Sequence, residues 1–139
     1  MDMINLDHLS SKVIKAAINV HNELGPGLLE SVYQSCMFIE LGMMGIRVQK
    51  EVPVRISYRG RALDEPFRLD LLVEDRIIIE LKSIQEIMPV HRKQLLTYLR
   101  LARKPLGLLI NFNVPLLKEG IVRIINSPQN EKPPLARFA

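Results

Sequence analysis

A chain of 139 residues has room for one domain with one core and is too short for two domains of typical size. Hydrophobic residues make up 47% of the sequence and charged residues 24%, a composition typical of globular rather than disordered proteins. The formal net charge of +4 fits an anionic partner such as nucleic acid, although many basic proteins have no such partner.

The chain has one cysteine, Cys36, which excludes an internal disulfide and, with three scattered histidines, argues against a zinc cluster. We expect Cys36 to be a small apolar residue on a helix. The first ten residues lack the basic stretch and apolar run of a signal peptide, and no apolar run is long enough to cross a membrane. These features predict a cytoplasmic protein.

Apolar residues at helical spacing predict a first helix from Leu6 to Leu24, which Gly25 and Pro26 end. A second helix is expected over about 28–43. Its predicted apolar face consists of Leu29, Val32, Cys36, Phe38 and Ile39.

Strand patterns begin after residue 46. A first run covers 48–58, where Pro53 favours a sheet edge and Arg59-Gly60 fits a hairpin turn. Strands are then expected over 67–73 and 77–82, joined by a turn at 74–76. A helix from Pro89 to about Arg103 and strands over 106–112 and 121–125 follow. We expect residues 1–126 to form one domain and the proline-containing segment 127–139 to be a loose tail.

The order of these elements indicates the fold class. The strand at 77–82, the next helix and the strand at 106–112 form a crossover unit, which makes that strand pair parallel. The hairpins make the other pairs antiparallel. The sequence therefore predicts an α/β fold with α+β character, in which a mixed central sheet is flanked by helices.

Three charged residues, Asp70, Glu80 and Lys82, interrupt two otherwise apolar strands. If the turn at 74–76 holds three residues, Asp70 falls opposite Glu80 on one face of the sheet, and Lys82 points the same way. Two carboxylates so close repel each other, and a divalent cation removes that conflict. Oxygen ligands suit magnesium, so the group fits phosphodiester hydrolysis. The alternative is a half-exposed salt bridge between Asp70 and Lys82, with Glu80 solvated.

The sequence also resembles a known family. Asp70 followed by Glu80-Leu81-Lys82 resembles the signature of the PD-(D/E)XK nuclease superfamily, with Leu69 where a proline is usual. The segment 27–33 matches the motif that names the GxxExxY family. Other matching segments, which extend the resemblance to roughly residues 6–126, are His21, 25–27, Gln94 with Tyr98, and 107–112.

The resemblance implies a restriction-endonuclease-like core and a nuclease that acts on DNA rather than RNA, and it allows a homodimer. It implies Mg²⁺ as cofactor, with Mn²⁺ as the alternative. The metal ligands would be Asp70, Glu80 and the backbone carbonyl of Leu81, and Lys82 would be the catalytic lysine. Further site residues implied in this way are Glu30, Gln94 and Tyr98.

Each of these further residues also has a structural interpretation. Glu30, expected third after the helix cap, could serve only in capping. Gln94 and Tyr98 share a helix face with His91, and that row either faces the substrate or places Tyr98 in the core. We expect Tyr33 to pack in the core and the His21 ring to bond across the Gly-Pro-Gly turn.

Two larger alternatives remain at this level. The last main helix is basic and could contact phosphates, or it could be a solvated face; its basic residues are Arg92, Lys93, Arg100, Arg103 and Lys104. The whole chain could be a nuclease, or it could be a non-catalytic module that binds nucleic acid or protein on the same fold.

Overall fold

The computed structural model describes residues 3–64 and 67–127. Within these ranges there are three α-helices, a short 3₁₀ helix and seven strands. The helices are α1 (Met3–Leu24), α2 (Glu30–Met43), α3 (Pro89–Ala102) and the 3₁₀ turn Leu117–Gly120. The strands are β1 (Val48–Val54), β2 (Ser57–Tyr58), β3 (Arg61–Ala62), β4 (Phe67–Val73), β5 (Ile77–Lys82), β6 (Leu106–Asn111) and β7 (Ile121–Ile125).

Five of these strands form one mixed sheet in the order β1-β4-β5-β6-β7. The pair β5–β6 is parallel and the other pairs are antiparallel, which confirms the predicted crossover and fold class. β1 lies at the edge, where the sequence placed Pro53. β2 and β3 form a separate hairpin, and both residues of its turn, Arg59 and Gly60, have positive φ.

The helices bury the two faces of this sheet in separate cores. The first core, under α1 and α2, includes Val13, Tyr33, Met37, Leu71, Ile79 and Leu108. The second core, under α3, consists of Leu69, Leu72, Ile78, Leu95, Leu99 and Leu109. Each such aliphatic side chain contributes roughly 1.5–3 kcal/mol when it is fully buried. β5 supplies both cores, which explains why almost all of it is apolar.

The strands β1 and β4 change face at one point. Along a regular strand, residues two apart share a face, yet Leu71 belongs to the first core and Leu69 to the second. In β1, Val48 packs on the first core and Val52 on the second. Between Val48 and Val52 lies Glu51, whose φ of 55° places it in the left-handed region. The face change brings Asp70 to the border between the two cores.

The predicted apolar face of α2 is wrong for Leu29, Val32 and Ile39, whereas Cys36 and Phe38 do pack against the first core. Leu29 and Ile39 are more than half exposed and Val32 is 38% exposed, whereas the helix buries Tyr33, Met37 and Leu41. The helix carries two apolar stripes, and spacing alone does not distinguish them. The sheet selects the stripe whose larger side chains fill the first core. Cys36 and Phe38 are partly buried and pack at the margin of the first core.

The hydrogen bond predicted for His21 across the Gly-Pro-Gly turn is made by Tyr33 instead. The Tyr33 hydroxyl donates to the Gly25 carbonyl (2.6 Å) and accepts from the Leu28 N–H (3.2 Å). The Tyr33 ring is fully buried and stacks on Phe112 with centroids 4.3 Å apart, which confirms its packing role. The buried His21 ring bonds to the Val114 carbonyl through Nε2 at 2.8 Å.

Replacing Tyr33 with phenylalanine is expected to lower the free energy of unfolding by ~1–3 kcal/mol, because the turn loses its bonding partner while the stacking remains. Urea unfolding measures the loss. Tyr58→Phe, at an exposed tyrosine, is the control. Equal stability of the Tyr33→Phe variant and the wild type would contradict a structural role for this hydroxyl.

The predicted tail at 127–139 lies outside the described residues, apart from Ser127. Within the described ranges, no helix combines the length and hydropathy needed to span a bilayer. The cytoplasmic location stays a prediction.

Candidate functional site

The hairpin of β4 and β5 has the predicted register. Val73 pairs with Ile77, Leu72 with Ile78 and Leu71 with Ile79, around a turn of three residues. Glu74 and Asp75 in that turn both have positive φ. The ladder ends at Leu71–Ile79, one residue before Asp70 and Glu80, so the two strands begin to separate where the acidic residues stand.

Beyond this point, hydrogen bonds to the carboxylates of Asp70 and Glu80 connect the two strands. The Leu81 N–H donates to Oδ2 of Asp70 at 2.8 Å. A second hydrogen bond runs in the opposite direction, from the backbone of Asp70 to the Glu80 carboxylate, and lowers the pKa of Glu80. Each carboxylate is therefore tied to the opposite strand, and the two acidic groups are held close together.

Glu80 is the most perturbed acid among the described residues. Burial and then the neighbouring Asp70 charge raise its pKa from 4.5 to about 8, against the opposing effect of Lys82. Lys82 Nζ lies 4.0 Å from Oε2 of Glu80, and Oε1 is buried without a hydrogen-bond partner. The alternative of a solvated Glu80 beside an Asp70–Lys82 salt bridge is therefore wrong: Glu80 is buried and is itself the ion-pair partner of Lys82.

Asp70 is less deeply buried and is influenced from several sides. Burial raises its pKa most, and the Leu81 hydrogen bond lowers it. The charge of Glu30 raises the pKa further, Lys82 lowers it, and Glu51 raises it. The charges of Glu30 and Glu51 thus act on Asp70, and together with Glu80 these residues form an acidic cluster.

Glu30 belongs to this acidic cluster but does not lie at the helix position predicted for it. It is the first residue of α2, after the N-cap Leu29, and it forms no capping box. Its Oε2 accepts a long hydrogen bond from the Ser83 N–H (3.4 Å), and the Ser83 hydroxyl donates to the Leu28 carbonyl (2.6 Å). These contacts hold the start of α2 against the chain that follows Lys82.

Two residues of this cluster were missed in the sequence. Gln34 donates from Nε2 to Glu51 Oε2 (2.6 Å) and to the Asp70 carbonyl (3.1 Å). An open pocket of about 300 Å³ lies here, lined by Glu30, Ser31, Gln34, Glu51 and Asp70. The pairing of β1 with β4 would have placed Glu51 beside Asp70, but that long-range register cannot be read from either strand alone.

A third missed residue, Asn111, fixes the loop after Lys82. Its side chain is buried, accepts from the Ile84 N–H (3.1 Å) and donates to the Ile84 carbonyl (3.0 Å). The Phe112 N–H donates to the Lys82 carbonyl (2.9 Å). An asparagine at the end of an apolar strand was the available signal, because a buried amide needs partners.

The residues of α3 divide into two groups. Tyr98 stacks on Phe67 with centroids 4.3 Å apart, and its pKa is raised by burial and then by the charges of Glu80 and Asp70. It therefore packs on the second core and also faces the acidic cluster. Gln94, one turn earlier, is exposed. His91 Nδ1 accepts a hydrogen bond from the N–H of Met88, the N-cap of α3, at 2.8 Å. His91 therefore stabilises the start of the helix.

The basic residues of α3 differ in their availability to a ligand. Lys104 is paired with Asp75 at 2.9 Å. Arg100 is partly covered, and its Nε is buried without a hydrogen-bond partner. Arg92, Lys93 and Arg103 are exposed. The helix therefore carries exposed cations at both ends, Arg92 and Lys93 near its start and Arg103 at its C-cap.

The donor set can be compared with the needs of a metal ion. The buried carboxylate of Glu80, which has a partnerless oxygen, and the half-buried carboxylate of Asp70 provide the oxygen ligands that magnesium prefers. Within 3–64 and 67–127, no three acidic, histidine or cysteine side chains are placed to hold a metal by themselves. The residues therefore fit a hard cation that takes its remaining ligands from backbone carbonyl, water or substrate, as magnesium commonly does.

Comparisons with known proteins bear on this arrangement. The family model of the PD-(D/E)XK nuclease superfamily matches residues 7–124. The crystal structure of SSO0001 is similar over 70% of this chain and 50% of that protein, with 23% sequence identity and a TM-score of 0.48. The matched part thus spans half the length of that protein. No protein of curated function matches the sequence.

Proposed function

The chain belongs to the PD-(D/E)XK nuclease superfamily, and from this premise we propose that it is a metal-dependent nuclease that hydrolyses phosphodiester bonds in DNA. The observation that carries the proposal is the buried carboxylate of Glu80, whose Oε1 has no hydrogen-bond partner and which stands beside Asp70 and Lys82. We assign the activity to one domain over residues 1–126 and, on the motif at 27–33, to the GxxExxY branch.

In this proposal Asp70, Glu80 and the carbonyl of Leu81 hold Mg²⁺, or Mn²⁺ as the alternative. The bound ion would lower the pKa of the attacking water and offset negative charge on the phosphoryl oxygens. Lys82 orients that water and donates to the oxygen on which charge develops. Glu30 supports the site through the Ser83 backbone, to which it is bonded.

The substrate side of the proposal rests on α3. Tyr98 faces the acidic cluster, Gln94 lies one helical turn away, and Arg92 and Lys93 are exposed on the same helix. Exposed cations of this kind contact phosphates without reading base sequence. We therefore propose that these residues position a nucleic acid strand and that DNA is the substrate, with RNA as the second choice.

The test is a cleavage assay with Mg²⁺ on DNA and RNA, comparing wild type with Asp70→Asn. We expect the variant to lose about 10²–10⁴-fold in rate, because it keeps the shape of the side chain but loses the ligand charge. Asp75→Asn, at an exposed aspartate paired with Lys104, should cleave like wild type. Equal cleavage by all three proteins would identify a contaminating nuclease and overturn the proposal.

The alternative is a non-catalytic module that binds nucleic acid or protein on the same fold. Calorimetric titration with magnesium separates the two candidates. A heat of binding at millimolar metal that disappears in Asp70→Asn supports the nuclease. A folded wild-type protein that binds no magnesium supports a module that binds nucleic acid or protein.

A further inference from the structure

The second apolar stripe of α2 is exposed at both ends, although Cys36 at its centre is half-buried and packs at the margin of the first core. The α2 stripe consists of Leu29, Val32, Cys36, Ile39 and Met43. Leu29 and Met43, at its two ends, are 74% and 78% exposed, and Ile39 is 59% exposed. A surface helix normally has one apolar face. The other face of α2 already fills the first core with Tyr33, Met37 and Leu41, so Leu29, Ile39 and Met43 remain exposed on the opposite side.

The spacing of the α2 stripe suits packing against another helix. Its residues follow one another at intervals of three, four, three and four, which is the apolar repeat of helices that pair side by side. The sequence pattern led to the prediction that this face meets the core of the same domain. The structure leaves it on the surface, where a second helix can reach it.

The α2 stripe is nearly symmetric about its centre. Leu29 and Met43 each lie seven positions from Cys36, and Val32 and Ile39 lie four and three positions from it. When two copies of the helix run antiparallel about an axis at Cys36, Leu29 meets the partner's Met43 and Val32 meets the partner's Ile39. A surface that matches itself in this way is what a two-fold interface requires.

Charge does not oppose this pairing. Of the two acids of α2, Glu30 is bonded to the Ser83 N–H, whereas Glu40 flanks the stripe and its Oε2 accepts a hydrogen bond from Asn19 at 3.0 Å. In the antiparallel pair, the two copies of Glu40 would lie eight positions apart along the helices, about 12 Å at 1.5 Å per residue. That is beyond the Debye length of about 8 Å at physiological salt, so their repulsion is largely screened.

We propose that the α2 stripe is the interface of a homodimer, in which two copies of α2 pack antiparallel with Cys36 at the two-fold axis. The occupant is a second copy rather than an unrelated partner because the stripe complements itself. The 14 residues of α2 give a contact about 21 Å long. Such an interface is at the small end of specific ones, so the dimer is expected to dissociate on dilution.

The first test is sedimentation velocity over a wide range of protein concentration, without substrate or metal. Wild type is expected to change from monomer to dimer as concentration rises. Ile39→Lys should raise the dissociation constant by about tenfold or more, since it places a charge in an apolar contact. Leu116→Lys changes a leucine of matched exposure (56%) away from α2 and should behave like wild type.

Met43→Lys provides a second variant at the most exposed position of the stripe, where misfolding is least expected. Circular dichroism shows whether Ile39→Lys and Met43→Lys are folded. A wild type that stays monomeric at every concentration overturns the proposal. Equal dimerisation of Ile39→Lys and Leu116→Lys overturns it too. If the protein stays monomeric and binds lipid vesicles through Ile39, the stripe is a membrane-binding surface and the dimer proposal is overturned.

The second test uses the lone thiol. At helix separations of about 8–10 Å, Cα atoms at the axis come within disulfide range. Under mild oxidation, wild type should therefore form a covalent dimer faster than Cys36→Ser/Ser57→Cys, whose thiol is exposed on β2. Equal rates would contradict an axis at Cys36. Both tests are made without cleavage, so their outcome is independent of the proposed nuclease activity.

Discussion

Replacing Lys82 with methionine is expected to reduce metal-dependent cleavage by about 10²–10⁴-fold, because the site loses the cation that orients the water and offsets developing charge. Methionine keeps most of the length of the side chain, so the fold should be retained. The single-turnover rate at saturating magnesium measures the effect on the reaction.

Lys104→Met is the matched control for this experiment. The side chains of Lys82 and Lys104 are 19% and 20% exposed, and each is paired with one acidic residue. A rate loss confined to Lys82→Met therefore reports position rather than charge or burial. If the two variants lost activity equally, or if neither did, the assignment of Lys82 to catalysis would be wrong.

Replacing Glu80 with glutamine is expected to stabilise the metal-free protein at alkaline pH. The folded-state pKa of about 8 lies above the ordinary 4.5, so wild type loses stability as pH rises from 4.5 through 8. At ~1.4 kcal/mol for each pKa unit, the loss is several kcal/mol. Glutamine does not ionise, so the variant should exceed wild type in unfolding free energy at about pH 9 and lose that advantage towards about pH 5.

Urea unfolding at the two pH values, with and without magnesium, provides the measurement. Magnesium should stabilise wild type at alkaline pH by mass action and leave Glu80→Gln largely unchanged. In the control Glu74→Gln no alkaline gain is expected, because hydrogen bonds from Arg47 lower the pKa of Glu74. A parallel pH dependence of wild type and Glu80→Gln would show that Glu80 is not the buried acid that ionises in this range.

The sequence was sufficient for the hairpin at the centre of the site. Continuous apolar runs, the short turn at 74–76 and the parity of strand positions together predict Asp70 opposite Glu80, and the observed register agrees up to the last ladder pair, Leu71 with Ile79. The parallel pairing of β5 with β6 also followed, since a right-handed crossover is almost obligatory. These predictions depend on contacts close in the chain or on general rules of sheet topology.

Other features of the site could not be predicted, because they depend on distant contacts. Gln34 reaches Asp70 across 36 positions, and no local pattern marks that bond. Asn111 meets Ile84 across 27 positions. The left-handed φ of Glu51 is uncommon for a residue other than glycine, so nothing in the strand pattern indicates it.

The face of α2 shows a different limit. Spacing identified an apolar stripe correctly but assigned it to the core, when the helix has two such stripes and the sheet covers the other one. A periodic pattern indicates which residues form an apolar face, but it does not indicate which part of the protein covers that face. The exposed stripe is the feature from which the dimer is inferred.

The change of face at Glu51 and Asp70 has a consequence for the order in which activity is acquired during folding. Asp70 is anchored by Leu71 in one core and by Leu69 in the other, so a chain with only one half assembled leaves this acid without its final orientation. In the proposed nuclease, a productive orientation of Asp70 would thus require both cores to be assembled.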